Sequence, residues 1–213
     1  MTEQLIDTTQ QVLPVMESFY TLQGEGFHQG KAAYFIRLAG CDVGCVWCDV
    51  KDSWDAEKHP RFSIEEIVEK AKHESGNSKK QILAVVTGGE PLMHDLTQLT
   101  KALHAAGFQT NIETSGSSPL SGEWDWICLS PKKFKAPLPE LVQHAHELKV
   151  VIFNKSDFDW AEQYAALVSP QCKLFLQPEW DKASQVTPLI IEYIKANPQW
   201  ELSLQIHKYI NVP

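Results

Sequence analysis

Apolar and polar positions along the chain fall into short blocks of two alternating kinds. One kind is a short run rich in β-branched and aromatic residues and bounded by Gly, Pro or polar residues. AYFIRLA (33–39), ILAVVT (82–87), TNIET (110–114), DWICLS (125–130), LKVVIF (148–153), KLFLQ (173–177) and LSLQIH (202–207) are of this kind, and such runs predict strands. The other kind has apolar residues at helical spacing. SIEEIVEKAKHES (63–75) opens with Ser63 and Glu66 in capping-box spacing, and LTQLTKALHAAG (96–107) ends at Gly107, a C-cap residue. FDWAEQYAALV (158–168) and SQVTPLIIEYIKAN (184–197) carry the same period. Strands alternating with helices predict a parallel sheet wrapped by helices. About six βα units are too few to close an eightfold barrel. The expected fold is therefore α/β, an abbreviated and incomplete (β/α)6-type barrel, open on one side. No repeat, low-complexity segment or linker-like stretch divides the chain, so residues 1–213 read as one domain.

In parallel α/β folds functional groups gather beyond the C-terminal ends of strands. The polar and glycine-rich clusters of this chain lie there. Cys41 follows the first predicted strand, Gly88 to Pro91 the second, Ser115 and Gly116 the third, Pro131 and Lys132 the fourth, while Gln177 and Pro178 close the sixth. On a barrel these positions share one rim.

Composition narrows the function classes. Of 213 residues 43% are apolar, enough for a sizeable core, and the formal net charge is −8. With a pI near 5.5, the chain lacks the basic face favoured by nucleic-acid and membrane-surface binders. No run approaches the roughly 20 apolar residues of a membrane span. MTEQLIDTTQQ has no basic region followed by an apolar one, so it does not read as a secretory signal. A cytoplasmic setting is expected, where clustered cysteines mean metal or catalysis rather than disulfides. Cys128 and Cys172, isolated in apolar stretches, read as small buried hydrophobes.

The remaining three cysteines stand in CDVGCVWCD (41–49). Structural zinc sites take four ligands, and ordinary iron–sulfur clusters take four thiolates. Cys41, Cys45 and Cys48 supply three. Three readings are open at this point, the plainest being three incidental cysteines. A zinc site would draw its fourth ligand from elsewhere, with His28, His59 and His94 as candidates. A cubane cluster held by three thiolates would keep one iron free to bind a small chelating molecule.

Cys-x3-Cys-x2-Cys with an aromatic residue, Trp47, before the third cysteine resembles the signature of radical S-adenosylmethionine (SAM) enzymes. The resemblance implies that Cys41, Cys45 and Cys48 hold a [4Fe–4S] cluster. Its open iron would be chelated by the amino and carboxylate groups of SAM, which is cleaved to a 5′-deoxyadenosyl radical that abstracts a hydrogen atom. TGGEP (87–91) supports this, because paired glycines at a strand end let a ligand approach the backbone closely. In that family this motif contacts the amino group of SAM.

LQGEG (22–26), Arg37 in the first predicted strand, the three cysteines followed by Asp49, TGGEP, ETSG, SPK and the ending HKYINVP together resemble the 7-carboxy-7-deazaguanine synthases, from residue 19 to the last residue. That family rearranges 6-carboxy-5,6,7,8-tetrahydropterin to 7-carboxy-7-deazaguanine with loss of ammonia, on the route to queuosine and other deazapurines. The resemblance implies a substrate site of Leu22, Gln23, Gly24, Glu25, Arg37, Thr87 and Pro213. Arg37 would hold the substrate carboxylate, as a bidentate fork suits, although a structural salt bridge would equally satisfy a strand Arg. Pro213 would offer its α-carboxylate. Trp47, Gly88, Gly89, Glu90, Ser115, Ser130, Pro131, Lys132 and Gln177 would surround SAM. The resemblance also implies a homodimer and a flavodoxin- or ferredoxin-type reductant.

One position departs from the family pattern. Its members place Thr after the Cys-Asp pair as a ligand to Mg²⁺; here Val50 stands there, and a valine cannot ligate a hard cation. Asp49 is the remaining candidate ligand, so a Mg²⁺ requirement is open. Two rivals stay in view: a radical activase acting on a partner protein, and a zinc or cluster module without chemistry of its own.

Overall fold

The computed structural model describes residues 11–76 and 81–213. The stretch read as lacking a secretory signal therefore lies, through residue 10, outside the described residues. One nine-stranded sheet forms the frame: β1 (Val12–Leu22), β2 (Ala32–Leu38), β3 (Arg61–Ser63), β4 (Leu83–Gly88), β5 (Gln109–Thr114), β6 (Trp126–Leu129), β7 (Glu147–Ile152), β8 (Lys173–Pro178) and β9 (Trp200–Leu202). Their order is β3-β1-β2-β4-β5-β6-β7-β8-β9. From β2 to β9 every neighbouring pair is parallel. The helices are α1 (Ile64–Glu74), α2 (Thr97–Ala105), α3 (Pro139–His144), α4 (Ser156–Ala165), α5 (Ala183–Ala196) and α6 (Ile206–Ile210). The order never returns on itself, so the barrel is open, as the alternating blocks predict. Among the described residues no helix is long and apolar enough to cross a membrane.

Three features differ from the sequence expectations. The sheet is mixed, because β1 pairs antiparallel with β2 and with β3. Alternation does not betray β1: Leu13, Pro14 and Val15 are buried in succession, and its register with β2 shifts between Val15 and Glu17. The last strand is Trp200–Leu202 rather than 202–207, and Ile206–Ile210 is a helix. The short helix α3 opens with Pro139, an N1 proline with the fixed φ of a first turn.

The period of two along each strand divides labour between the faces of the sheet. One set packs outward: Tyr34, Ile36 and Leu38 of β2 with Ala84 and Val86 of β4 meet Ile67, Val68 and Ala71 of α1 and Leu99 and Leu103 of α2. A second outward core joins Leu148, Val150 and Ile152 of β7 to Phe158 and Ala161 of α4, Val186 and Ile190 of α5, and Trp200. The other set points inward and turns polar toward the C-terminal strand ends. Arg37, Thr87, Glu113, Lys149 and Gln177 line a common cavity. Cys128 and Cys172 are buried and unpaired, as their apolar surroundings predict.

Trp200 secures the terminal strand. Its side chain is 1% exposed, and its Nε1 donates to Glu162 Oε1 at 2.8 Å. Trp200→Ala should cost about 3–5 kcal/mol, read as a lower urea midpoint, and should loosen β9 and α6 first, read as faster amide exchange there.

Candidate functional site

The loop between β1 and β2 turns back into the open barrel. Gly30 N donates to Gln23 O at 2.7 Å and Gln23 N to Lys31 O at 2.8 Å, closing the turn. Gln23 is buried, and its Nε2 donates to Glu113 Oε1 at 3.2 Å. Lys149 sits between two carboxylates, with Nζ 2.6 Å from Glu25 Oε2 and 2.8 Å from Glu113 Oε2. Gln205 Nε2 donates to the other Glu25 oxygen at 2.8 Å. Burial works against the Glu25 carboxylate, but the Lys149 charge and hydrogen bonds from Lys149 and Gln205 outweigh it and hold its pKa at about 2. This network joins the hairpin loop, β5 and β7 beneath the cavity. A Cβ on Gly24 would run into the His207 ring, and one on Gly26 into the Glu147 carboxyl. Those glycines let the loop pass between them.

Glu147 lies deeper. Its Oε2 accepts from Trp126 Nε1 at 2.9 Å and Phe27 N at 3.3 Å, while Oε1 has no partner among the described residues. Burial, reinforced by the Glu113 charge, pushes its pKa up to about 7.

Above the floor, the cysteine loop leaves β2 at Gly40, whose φ of +106° favours glycine. The TGGEP turn clamps its start: Gly89 N donates to Leu38 O at 2.9 Å and Glu90 N to Gly40 O at 2.8 Å. A Cβ on Gly89 would collide with the Gly40 carbonyl and with Cys41. The Gly89 carbonyl accepts from no group among the described residues and borders the cavity. The Glu90 carboxylate is buried and fully used. It takes Leu92 N at 3.1 Å, Thr114 Oγ1 at 2.5 Å, Ser115 N at 2.8 Å and the Ser115 hydroxyl. Glu90 thus ties the end of β4 to the end of β5. Lys132 Nζ donates to Ser130 O at 2.7 Å and lies 5.7 Å from the centroid of the Trp47 ring. Burial raises the Cys45 thiol, and the Lys132 charge opposes that rise.

Arg37 meets both readings of a strand arginine. Its Nε donates to Glu17 Oε1 at 2.7 Å, and among the described residues its two terminal nitrogens have no partner. Asp49 Oδ2 accepts from Lys208 Nζ at 3.0 Å. Thr21 Oγ1 donates to Pro213 O at 3.3 Å.

One cavity of about 480 Å³ gathers these groups. Cys41, Cys45, Cys48, Asp49, Trp47, Leu22, Gln23, Gly24, Glu25, Arg37, Thr87, Gly88, Gly89, Glu90, Ser115, Ser130, Lys132, Gln177 and Pro213 all line it. Pro131 does not: it is buried behind the rim, and its carbonyl faces Trp160 Nε1 at 3.5 Å. Glu113, Lys149, Trp180, Gln205 and His207 line it as well, and sequence reasoning passed over them. For Lys149 a signal existed, since it is the one charge in the predicted strand LKVVIF, as Arg37 is in AYFIRLA; Glu113 stands in the polar run TNIET, which gives none.

The candidate fourth zinc ligands lie elsewhere. His59 Nε2 is 2.9 Å from Asp52 O, His94 Nε2 is 2.8 Å from Ala39 O, and His28 Nδ1 is 3.0 Å from Lys31 Nζ. None lines the cavity. Among the described residues no three His, Cys, Asp or Glu side chains close on one ion. A cluster asks less, because each thiolate need reach only its own iron. Three unpaired thiols on one cavity-facing loop, beside an unengaged carbonyl, fit such a group.

Comparison with known proteins agrees. Residues 35–130 match the radical SAM superfamily. A 7-carboxy-7-deazaguanine synthase of Flavobacterium psychrophilum is 55% identical over 203 residues, which are 95% of this chain and 94% of that protein. One from Synechocystis is 48% identical over 199 residues, 93% of each. The crystal structure of QueE from Escherichia coli superposes with a TM-score of 0.79 at 32% identity, covering 91% of this chain and 93% of that one.

The buried charges predict two outcomes. Lys149→Met leaves Glu25 and Glu113 without their cation and should cost about 3–5 kcal/mol by urea unfolding; an unchanged midpoint would remove the network from its role. Glu147 binds its proton more tightly folded than unfolded. Its contribution is therefore complete below the ordinary carboxylate pKa and is lost as pH rises through about 7. Glu147→Gln should flatten the fall in melting temperature across that window.

Proposed function

We propose that this chain, which belongs to the 7-carboxy-7-deazaguanine synthase family of radical SAM enzymes, converts 6-carboxy-5,6,7,8-tetrahydropterin to 7-carboxy-7-deazaguanine with loss of ammonia, on the route to queuosine and related deazapurines. The observation that carries this reading is the meeting of three free thiols, the TGGEP turn and Arg37 around one cavity. Family membership implies a [4Fe–4S] cluster and SAM as cofactors. Cys41, Cys45 and Cys48 would hold the cluster. When bound, cluster and SAM together supply the one-electron chemistry that takes a hydrogen atom from the substrate.

The chain's own residues position the two molecules. The Gly89 carbonyl would take the methionine ammonium, with Trp47, Gly88, Ser115, Ser130, Lys132 and Gln177 around the rest of SAM. Glu90 and Pro131 act from behind, by fixing the backbone of the rim. On the substrate side, Phe19 and Phe35 stack with ring centroids 5.5 Å apart and border the cavity, a flat apolar wall suited to a pterin ring. Arg37, held at Nε by Glu17, turns its unpartnered nitrogens to the substrate carboxylate. Leu22, Gln23, Gly24, Glu25, Thr87 and Pro213 enclose the rest of the ring. A carboxylate-lined floor suits the pyrimidinone edge, which presents N–H donors. Family membership further suggests one domain over residues 1–213, a cytoplasmic homodimer and a flavodoxin- or ferredoxin-type electron donor.

Anaerobic reconstitution followed by reductant, SAM and 6-carboxytetrahydropterin should yield 7-carboxy-7-deazaguanine by mass spectrometry. 5′-Deoxyadenosine without that product would point to another substrate, an activase's partner protein first. Cys45→Ala should lose the cluster absorbance and all turnover. Arg37→Ala should keep the cluster and the reductive cleavage of SAM while weakening pterin affinity roughly tenfold or more; retained affinity would take Arg37 out of the site.

A further inference from the structure

Where the family pattern places a Mg²⁺-ligating threonine, this chain has no side-chain oxygen. Mg²⁺ demands near-octahedral oxygen coordination. The residue after Asp49 is Val50, whose side chain offers no oxygen, and among the described residues no three His, Cys, Asp or Glu side chains converge on one ion. The Asp49 carboxylate, which lines the cavity, already holds a cation: its Oδ2 lies 3.0 Å from Lys208 Nζ.

Lys208 is placed by the fold rather than by chance contact. It follows His207 on α6, and His207 lines the cavity. α6 is anchored at its start by Ile206 N donating to Gly24 O at 3.0 Å, and Val212 N returns to His207 O at 3.1 Å. The Lys208 ammonium stands 4.8 Å from the centroid of the Trp180 ring, and Trp180, like Asp49, borders the cavity. An aromatic face and a carboxylate hold the ammonium from two sides, and its side chain is 24% exposed. Through Asp49 and Trp180 the ammonium is joined to the cavity that Arg37 also lines.

We propose that the Lys208 ammonium, held by Asp49, takes the part a Mg²⁺ ion would play and supplies the second positive charge, beside Arg37, for the carboxylate of the substrate. This rests on the pterin reading above. An ammonium carries three donors on one point charge, so it can bond Asp49 and a substrate carboxylate together. It makes no demand for octahedral oxygens, which suits a site where Val50 stands in place of a ligating side chain.

The test is equilibrium binding of 6-carboxypterin, the non-reacting oxidised analogue, to the cluster-loaded, SAM-bound enzyme, followed by pterin fluorescence in EDTA and in Mg²⁺. The wild-type Kd should agree within about twofold between the two conditions. Lys208→Met should raise it about tenfold or more, with affinity for unsubstituted pterin and for SAM unchanged, and Lys208→Arg should recover most of the loss. A tenfold tightening by Mg²⁺ in the wild type, or a Lys208→Met enzyme that binds 6-carboxypterin as before, overturns the proposal. A Lys208→Met enzyme that also loses pterin and SAM binding assigns Lys208 a structural role and overturns it too. Wild-type enzyme that binds SAM but no 6-carboxypterin in either condition brings down the pterin reading itself, and this proposal with it.

Discussion

A single buried ammonium sets the terms for the rest of the site. Lys149 is 4% exposed and bridges Glu25 and Glu113. Taking any of the three charges out of water is costly, and the cost is offset only when all three stay together. Their chain positions are far apart, in the β1–β2 loop, in β5 and in β7. The demand for mutual neutralisation therefore fixes how deeply the hairpin loop enters the open barrel. That depth brings Gln23 and Gly24 to the cavity and leaves room above Gly24 for the His207 ring. An open parallel sheet has no strand to fill its gap; here a polar loop pinned by a buried cation does so.

The upper rim uses a second device, a carboxylate with every oxygen engaged. Glu90 accepts from Leu92, Thr114 and Ser115, so the ends of β4 and β5 are held in register. Gly88 and Gly89 then lie against Leu38, Gly40 and Cys41 with no space for side chains. The cysteine loop is thereby braced by backbone at its start, while its thiols stay free for ligands. In TGGEP the glycines bring the backbone close and the glutamate supplies rigidity. Between Thr87, which lines the cavity, and Glu90, the motif presents glycine main chain.

Six of the seven parallel strands and the principal helices were legible because period-two and period-3.6 patterns are strong where one face packs into a core. β1 was not, because its proline and its register shift break the alternation that marks a strand. β9 was misplaced because LSLQIH has strand-like composition, yet its final residues continue as the helix that carries His207 and Lys208. The cysteines and TGGEP were readable from spacing, whereas their partners were not. Nothing local in LKVVIF says that Lys149 meets a glutamate 124 positions earlier, and nothing local in HKYINVP says that Lys208 meets Asp49 159 positions away. Long-range ion pairs are products of topology. The hint that sequence does carry is a charge inside an apolar strand, which must find a partner somewhere.

The arrangement of charge around the cavity also bears on orientation. The floor holds two carboxylates against one ammonium, Glu25 and Glu113 against Lys149. The surrounding wall holds Arg37 and Lys132, with Lys208 joined to it through Asp49. A molecule with N–H donors along one edge and a carboxylate on the other meets complementary potential in one orientation and opposed potential in the reverse. Like-charge placement in a partly dry cavity is penalised more than in water, so the wall and floor exclude the reversed pose as well as favour the correct one. Radical chemistry tolerates little freedom in which hydrogen atom is presented. Selecting the pose by fixed charges, before any bond is broken, is how a small, abbreviated barrel can govern that choice with few direct contacts.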